Sequence, residues 1–296
     1  MPWLQISCEV ERAALESVEA AFLGTGALSV TLGDAGDAPV LEPGPGETPL
    51  WPRVRVTALY EEQVDALPIQ ALLTGLPGGP DAAGISATVL EDRIWEREWL
   101  DQFGPMRFGR RLWVCPGGQD PDDDDAVVVR LDPGLAFGTG THPTTHLCLE
   151  WLDRASLTEA QVVDYGCGSG ILAIAAARLG ARRVIAVDND PQALIATRSN
   201  AADNDVSVLI ETCDPASMPR MAADTLLANI LAGPLIELAP RFADALRPGG
   251  RLVLSGILES QGPDIVAAYE RWFELDQPAS RDGWLCLGGT RRPEES

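Results

Sequence analysis

The sequence predicts an α/β protein in two parts, a small α+β domain of the ferredoxin-like type followed by a larger Rossmann-like domain. Three observations predict this fold class. The chain has 296 residues, 46% of them hydrophobic, which is more than one average domain needs. Its N-terminal third has the element order β-α-β-β-α-β. From residue 132 onward, strand-like and helical segments alternate, which is typical of a parallel sheet covered by helices on both faces.

Hydrophobic periodicity predicts the elements of the first domain. Apolar residues recur at helical spacing from Ala14 to Phe22, and they alternate with other residues from Arg53 to Ala58 as in a strand. The predicted elements are strand Trp3–Val10, helix Glu11–Leu23, strand Ala27–Leu32, a long loop over residues 33–52, strand Arg53–Tyr60, helix Val64–Leu76 and strand Ile85–Leu90. We expect this domain to span residues 1–91, a linker helix residues 92–104, and the second domain residues 105–296.

The second domain begins with two possible strands, Leu112–Cys115 and Ala126–Leu131. The segment Pro116–Asp125 between them ends in four aspartates. We interpret it as an exposed acidic hairpin loop, because it lacks the spaced ligands and the glycine of a calcium-binding loop. The elements that follow are strand Val162–Tyr165, helix Ser169–Leu179, strand Arg183–Val187, helix Pro191–Asn204, strand Val206–Ile210, strand Thr225–Ile230, helix Pro234–Leu246, strand Arg251–Ile257, helix Pro263–Phe273, and late strands Phe273–Asp276 and Trp284–Leu287.

Charge and cysteine usage narrow the function classes. The chain carries 44 acidic against 22 basic residues, a formal net charge of −22, so we expect no direct binding to nucleic acid. Such a charge steers a basic protein partner, although it can also serve solubility alone. The six cysteines form no C-x-x-C pair, which argues against a disulfide framework and a zinc ribbon. No signal peptide or membrane span is predicted, and we expect a cytoplasmic protein.

A glycine-rich turn follows the predicted strand Val162–Tyr165. Gly166, Gly168 and Gly170 lead into a helix, and glycine lets a ligand approach the backbone near the positive end of that helix. The spacing G-x-G-x-G differs from the G-x-G-x-x-G fingerprint of dinucleotide sites, which disfavours an NAD-dependent dehydrogenase, and the Lys-Ser/Thr pair of a phosphate loop is missing. The spacing, with Asp164 just before it, resembles the first motif of class I S-adenosylmethionine-dependent methyltransferases.

Polar residues stand at the ends of two later strands. Asp188 ends the strand after the glycine loop, where a carboxylate can accept hydrogen bonds from both hydroxyls of a ribose. Asp190 precedes a proline and is predicted to cap the next helix. Asn229 ends a further strand and faces the crevice where ligands bind in open α/β sheets. Its amide can accept a hydrogen bond from an amine and donate one to a cofactor; the alternative is an asparagine in an ordinary turn.

The segment Leu131–His146 is dense in glycine and hydroxyl groups. It contains a predicted helix start that Thr141 or His142 caps, with Thr145 in the first turn, and such a segment suits a wall over a bound ligand. His142 and His146 are four residues apart. Because zinc needs a third protein ligand and nothing nearby supplies one, we predict no metal site.

Together these segments resemble the PrmA family, the methyltransferases of ribosomal large-subunit protein eleven, over almost the whole chain. The matching segments are Trp95–Pro116, Asp132–Leu152, Val163–Gly180, Asp188–Asn200 and Asn229–Pro240. The phrases L-A-F-G-T-G-T-H-P-T-T and N-I-L-A-G-P are the most specific. His146 departs from the small residue that the family pattern leads us to expect after the paired threonines.

The resemblance implies a class I methyltransferase domain with a seven-stranded Rossmann-like sheet, preceded by a substrate-recognition domain on a flexible linker. It implies S-adenosyl-L-methionine as cofactor, with family contacts at Thr145, Gly166, Asp188 and Asn229. The loop and the hydroxyl-rich segment add three candidate cofactor-binding residues, Asp164, Gly168 and Thr141. Cys213 and Asp214 are candidate neighbours of the adenine.

The resemblance further implies trimethylation of an N-terminal α-amine and of lysine ε-amines on the ribosomal protein, either free or ribosome-bound, by an enzyme that we expect to be a monomer. We hypothesise that Asn229 is the catalytic residue that aligns the amine, and that no dedicated general base is present. The alternatives are a methyltransferase for another protein or a small-molecule amine, one for glutamine amides, and a non-catalytic binding module. The glutamine family carries Asn-Pro-Pro-Tyr where this chain has Asn229–Ala232, which argues against it.

Overall fold

The computed structural model describes residues 2–36, 51–90, 104–116, 119–131 and 140–293. Two compact units divide the chain, Met1–Ile94 and Trp95–Ser296. Almost all of the predicted linker helix and most of the predicted loop over residues 33–52 lie outside the described residues. Within the described parts of the chain, no helix is both long and apolar enough to cross a bilayer.

The first unit is a four-stranded antiparallel sheet packed against two helices. Its elements are β1 (Trp3–Glu11), α1 (Leu15–Gly24), β2 (Ser29–Asp34), β3 (Arg53–Glu61), α2 (Ala66–Thr74) and β4 (Ile85–Leu90). The strand order is β2-β3-β1-β4, with every pair antiparallel, so the ferredoxin-like prediction is confirmed. Alternate residues of β1 and β3 are buried because one face of the sheet packs against Val18 and Phe22 of α1 and Leu73 of α2.

The second unit contains a small sheet and a large one. Its described elements are β5 (Met106–Phe108), β6 (Leu112–Cys115), β7 (Val127–Arg130), α3 (Pro143–Arg154), β8 (Gln161–Tyr165), α4 (Ile171–Arg178), β9 (Arg183–Val187), α5 (Pro191–Asp203), β10 (Ile210–Cys213), β11 (Ala223–Asn229), α6 (Ala232–Ala245), β12 (Leu246–Leu258), α7 (Gly262–Tyr269), β13 (Phe273–Leu275), β14 (Ala279–Arg281) and β15 (Trp284–Arg291).

The small sheet corrects the predicted acidic hairpin. β6 pairs with β7 in parallel, so Pro116–Asp125 is a crossover connection and not a hairpin loop. The hairpin lies earlier, between β5 and β6, where β5 was missed from the sequence. The buried carboxylate of Asp153 accepts hydrogen bonds from the backbone N–H groups of Arg110, Arg111 and Leu112 at 2.6, 3.0 and 3.0 Å, and it thereby holds this turn against α3.

The large sheet has the strand order β10-β9-β8-β11-β12-β15-β13, with β14 paired to β15. The strands from β10 to β12 are parallel, and β15 runs antiparallel between β12 and β13. After β8 the chain adds β9 and β10 on one side and then returns to place β11 on the other. The sheet therefore has a switch point between β8 and β11, and it is the predicted Rossmann-like fold.

One predicted strand is wrong. Residues 207–209 form a single 3₁₀ turn, and β10 begins only at Ile210. The alternation of Val206, Val208 and Ile210 resembles a strand, but Val208 is 94% exposed, whereas Val206 packs into the core. Asp205 has a φ of +57°, so the chain turns sharply just before this segment.

Candidate active site

The switch point brings together two segments that are far apart in sequence. In the register of β8 and β11, Tyr165 lies beside Ala228. The next residues, Gly166 and Asn229, therefore come at neighbouring positions along the carboxyl edge of the sheet. A crevice at this edge is where open α/β sheets bind ligands.

The glycine loop has a backbone that only glycine adopts easily. Gly166, Gly168 and Gly170 have φ values of +81°, +54° and +82°. A Cβ atom on Gly166 would lie 2.2 Å from Cγ2 of Ile230. The N–H groups of Gly166 and Cys167 both donate to the carbonyl of Val187, at 2.7 and 3.0 Å, which ties the loop to the end of β9.

Asp188 links the end of β9 to the same loop. Its carboxylate accepts the N–H of Gly168 at 2.9 Å and the N–H of Asp190 at 3.0 Å. Both oxygens keep a further lone pair, so they can still accept hydrogen bonds from the hydroxyls of a ribose. Asp190 accepts the N–H of Gln192 at 2.9 Å as N-cap of α5, which confirms its predicted role.

Asp164 is a fully buried carboxyl group behind the loop. Its Oδ2 accepts the N–H of Ala173 in the first turn of α4 at 2.9 Å, and Oδ1 has no hydrogen-bond partner among the described residues. Burial raises the pKa of Asp164 to about 7; the N–H of Ala173 opposes this shift, and the nearby charge of Asp188 adds to it.

Asn229 contacts the first turn of α3. Its Nδ2 donates to Oγ1 of Thr145 at 3.2 Å, and Thr145 is 3% exposed, so the amide is held in one orientation. His142 is the N-cap of α3 and its Nδ1 lies 2.7 Å from Oγ1 of Thr144, in agreement with the predicted capping role. Burial lowers the pKa of His142. Thr141 precedes this cap and is exposed, and residues 132–139 lie outside the described residues.

His146 does not displace Thr145, despite its departure from the family pattern. Its ring lies 4.7 Å from that of Phe108, and its Nε2 lies 3.2 Å from Oε1 of Glu150. In the described ranges, no group of three His, Cys, Asp or Glu side chains is arranged to hold a metal ion. Asp214, next to Cys213 at the end of β10, accepts the N–H of Ala216 at 2.8 Å and so shapes the turn there.

Sequence reasoning missed two residues at this edge. The ring of Trp284 lies 5.0 Å from that of His142, edge to face, although the two residues are far apart in sequence. Gly256 has a φ of +83°, and a Cβ there would lie 2.2 Å from the backbone oxygen of Ile230. Gly256 therefore allows β12 to approach the residue that follows Asn229. A lone glycine inside a predicted strand was the only available signal.

The residues present fit S-adenosylmethionine. Three glycines with positive φ leave the loop backbone without side chains, and Oδ1 of Asp164, which finds no partner among the described residues, can accept a hydrogen bond from a ligand that carries an ammonium group. The fold and this site define the class of S-adenosylmethionine-dependent methyltransferases. A family model described as ribosomal protein L11 methyltransferase (PrmA) matches residues 2–292. The chain belongs to this family.

Two relatives match almost the whole chain, and a solved structure matches about two thirds of it. A ribosomal protein L11 methyltransferase of Methylococcus capsulatus is 53% identical over 291 residues, which cover 98% of this chain and 99% of that protein. One of Pseudomonas fluorescens is 52% identical over 293 residues, 99% of this chain and 100% of that protein. A crystal structure of a ribosomal protein L11 methylase from Lactobacillus delbrueckii is 34% identical, with a TM-score of 0.59, over 64% of this chain and 100% of that one.

Proposed function

We propose that this chain transfers methyl groups from S-adenosylmethionine to amines of ribosomal protein L11, namely the N-terminal α-amine and lysine ε-amines, up to three times on each nitrogen. The observation that carries the proposal is the Asn229–Thr145 contact beside the glycine loop. Because Nδ2 of Asn229 is engaged by Thr145, the carbonyl oxygen Oδ1 remains to accept an N–H from an incoming amine. An amine substrate supplies a donor for this acceptor, whereas a carbonyl substrate has none.

The amine must be neutral to react, whereas an ordinary lysine has a pKa of about 10.4 and is mostly protonated at neutral pH. When bound, S-adenosylmethionine would supply a methyl group on a positively charged sulfonium, and loss of that methyl to the amine nitrogen would leave a neutral thioether. The buried surroundings of Thr145 favour the uncharged amine by desolvation. In the first two transfers Asn229 holds the nitrogen in line through one of its N–H groups; the neutral dimethylamine of the third transfer has no N–H, so the walls of the site alone position it. The products of the first two transfers each release one proton to water, and no dedicated general base is required in this scheme.

We assign cofactor binding to Gly166, Gly168, Asp188, Thr145 and Asn229, together with Thr141 and Asp164. The first unit, with the linker over residues 92–104, serves substrate recognition in this proposal. The enzyme acts as a monomer in the cytoplasm, on L11 either free or ribosome-bound. The net charge of −22 supports a basic protein partner over a nucleic acid.

Mass spectrometry of L11 after incubation with enzyme and S-adenosylmethionine tests the substrate. Methyl groups gained in threes on amines support the proposal, and unmodified L11 would overturn it in favour of another protein or a small-molecule amine. Asn229→Ala should lower turnover by about 100-fold and keep measurable cofactor binding, because it removes the group that aligns the amine. Gln277→Ala, which removes an exposed amide, is the matched control. Unchanged turnover of Asn229→Ala would refute its role.

A further inference from the structure

Helix α5 carries polar side chains toward the back of the glycine loop. Thr197 and Asn200 are three residues apart and therefore share one face of the helix. Thr197 is fully buried, so its hydroxyl needs a hydrogen-bond partner inside the protein. The known role of the glycine loop does not account for these two residues.

Both side chains donate hydrogen bonds to carbonyl groups of the loop. Oγ1 of Thr197 donates to the oxygen of Gly168 at 3.1 Å and also lies 3.3 Å from Sγ of Cys167 in the same loop, a weaker acceptor. Nδ2 of Asn200 donates to the oxygen of Ser169 at 2.8 Å. Thr197 also packs against Gly170, where an added Cβ would lie 2.8 Å from its Cγ2. Two successive peptide groups of the loop are thus held from the α5 side.

The rest of the loop shows which face remains for a ligand. Cys167, Ser169 and Gly170 are buried, whereas Gly166 and Gly168 are partly exposed. Asp188 accepts the N–H of Gly168, which belongs to the peptide group before that residue, and Thr197 donates to its carbonyl, which belongs to the peptide group after it. Three successive peptide groups of the loop are therefore held, the first by Asp188 and the next two by α5.

We propose that Thr197 and Asn200 are positioning residues for S-adenosylmethionine. The two side chains hold the carbonyl groups of Gly168 and Ser169 on the α5 side, and the exposed face of the loop thereby stays open to the cofactor. The proposal concerns cofactor binding alone. It is independent of the protein substrate, so its failure and the failure of the proposed substrate are separate results.

The loss of one donor leaves a loop carbonyl without its partner and lets the peptide plane rotate. We expect Thr197→Val, which keeps the side-chain shape, to weaken cofactor binding about tenfold, and Asn200→Ala to do the same. Thr197→Ser keeps the hydroxyl and should restore most of the affinity. The KM for S-adenosylmethionine should rise, whereas kcat at saturating cofactor and the KM for the methyl acceptor should stay close to those of the unmodified chain.

Asn204 offers a matched control at the end of the same helix. Its Oδ1 accepts the N–H of Arg130 at 2.7 Å, and its Nδ2 donates to the backbone carbonyls of Arg130 and Asn200 at 2.7 and 2.8 Å. The Asn204 side chain thus makes the same kind of bonds to backbone groups, but it bonds to neither the loop nor the side chain of Asn200. Asn204→Ala should therefore lower the melting temperature without a selective loss of cofactor affinity.

The test is isothermal titration of each folded variant with S-adenosylmethionine. The melting temperature of each variant is measured alongside, so that a loss of affinity can be compared with a loss of stability. Weaker binding in Thr197→Val and Asn200→Ala, with recovery in Thr197→Ser and unchanged affinity in Asn204→Ala, supports the proposal. Wild-type affinity in Thr197→Val and Asn200→Ala would overturn it. An equal loss of affinity in Asn204→Ala would also overturn it, because the effect would then follow general stability and not the loop.

Discussion

Replacement of Gly166 by alanine should destabilise the protein in two ways, through the backbone conformation and through a steric clash. Gly166 has a φ of +81°, which costs an L-residue about 1 kcal/mol. The new Cβ would also lie 2.2 Å from Cγ2 of Ile230, closer than real contacts allow. Such overpacking typically destabilises the folded state by a further ~1–3 kcal/mol. We expect Gly166→Ala to lower the free energy of unfolding by about 3 kcal/mol.

Gly283 is a matched control for the backbone cost. It has the same φ of +81°, and an added Cβ there would meet no atom within 4 Å. Gly283→Ala should therefore lower the free energy of unfolding by only about 1 kcal/mol. The difference between the two variants measures the steric cost at the active-site loop.

A double-mutant cycle assigns that difference to Ile230. In the Gly166→Ala, Ile230→Ala double variant, the contact with Cγ2 is gone, so the double variant should be more stable than the sum of the single effects predicts, by about 1–2 kcal/mol. Urea unfolding at constant m-value is the assay. The reasoning is refuted if Gly166→Ala costs no more than Gly283→Ala, or if the two substitutions in the cycle are additive.

Two further substitutions test how the buried carboxyl groups of Asp164 and Asp153 affect the free energy of unfolding. Burial raises the pKa of Asp164 from 3.8 to about 7, so the folded state holds its proton more tightly and the stability of the unmodified protein falls as pH rises between these values. The Asp164→Asn variant has no titrating group at this position, so its free energy of unfolding should rise by about 4 kcal/mol relative to that of the unmodified chain as the pH goes from 4 to 8. Urea unfolding of both proteins across this pH range is the measurement. Parallel pH profiles of the two free energies would contradict the prediction. Asp153→Ala removes the acceptor of three backbone N–H groups and should cost about 3 kcal/mol, with Asp153→Asn milder; an unchanged urea midpoint would show that the β5–β6 turn holds without it.

The sequence predicted those parts of the site whose functional residues are close together along the chain. The spacing of Gly166, Gly168 and Gly170 and the strand before them are local features, and the positive φ values follow from them. The hydrogen bond between Asn229 and Thr145 joins residues 84 positions apart, and only the strand order of the sheet brings them together. No spacing rule in one sequence could indicate that contact.

The elements that were predicted wrongly also depend on contacts between residues that are distant in sequence. A three-residue strand such as β5 is too short to show periodicity, and its turn is stabilised by Asp153, 41 to 43 positions away. The acidic segment Pro116–Asp125 suits either a hairpin or a crossover, because strand direction depends on partners and not on composition. Val206 and Val208 alternate like a strand, yet only Val206 finds a core to pack against.

The position of β15 has a consequence for how the second unit folds. β15 follows β12 and β13 in the chain, but it lies between them in the sheet. Until Trp284–Arg291 is in place, both strands present unpaired backbone edges, which are templates for association between chains. Folding intermediates of this unit are thus most prone to aggregate at the two edges that β15 finally covers, which are remote in sequence from the glycine loop.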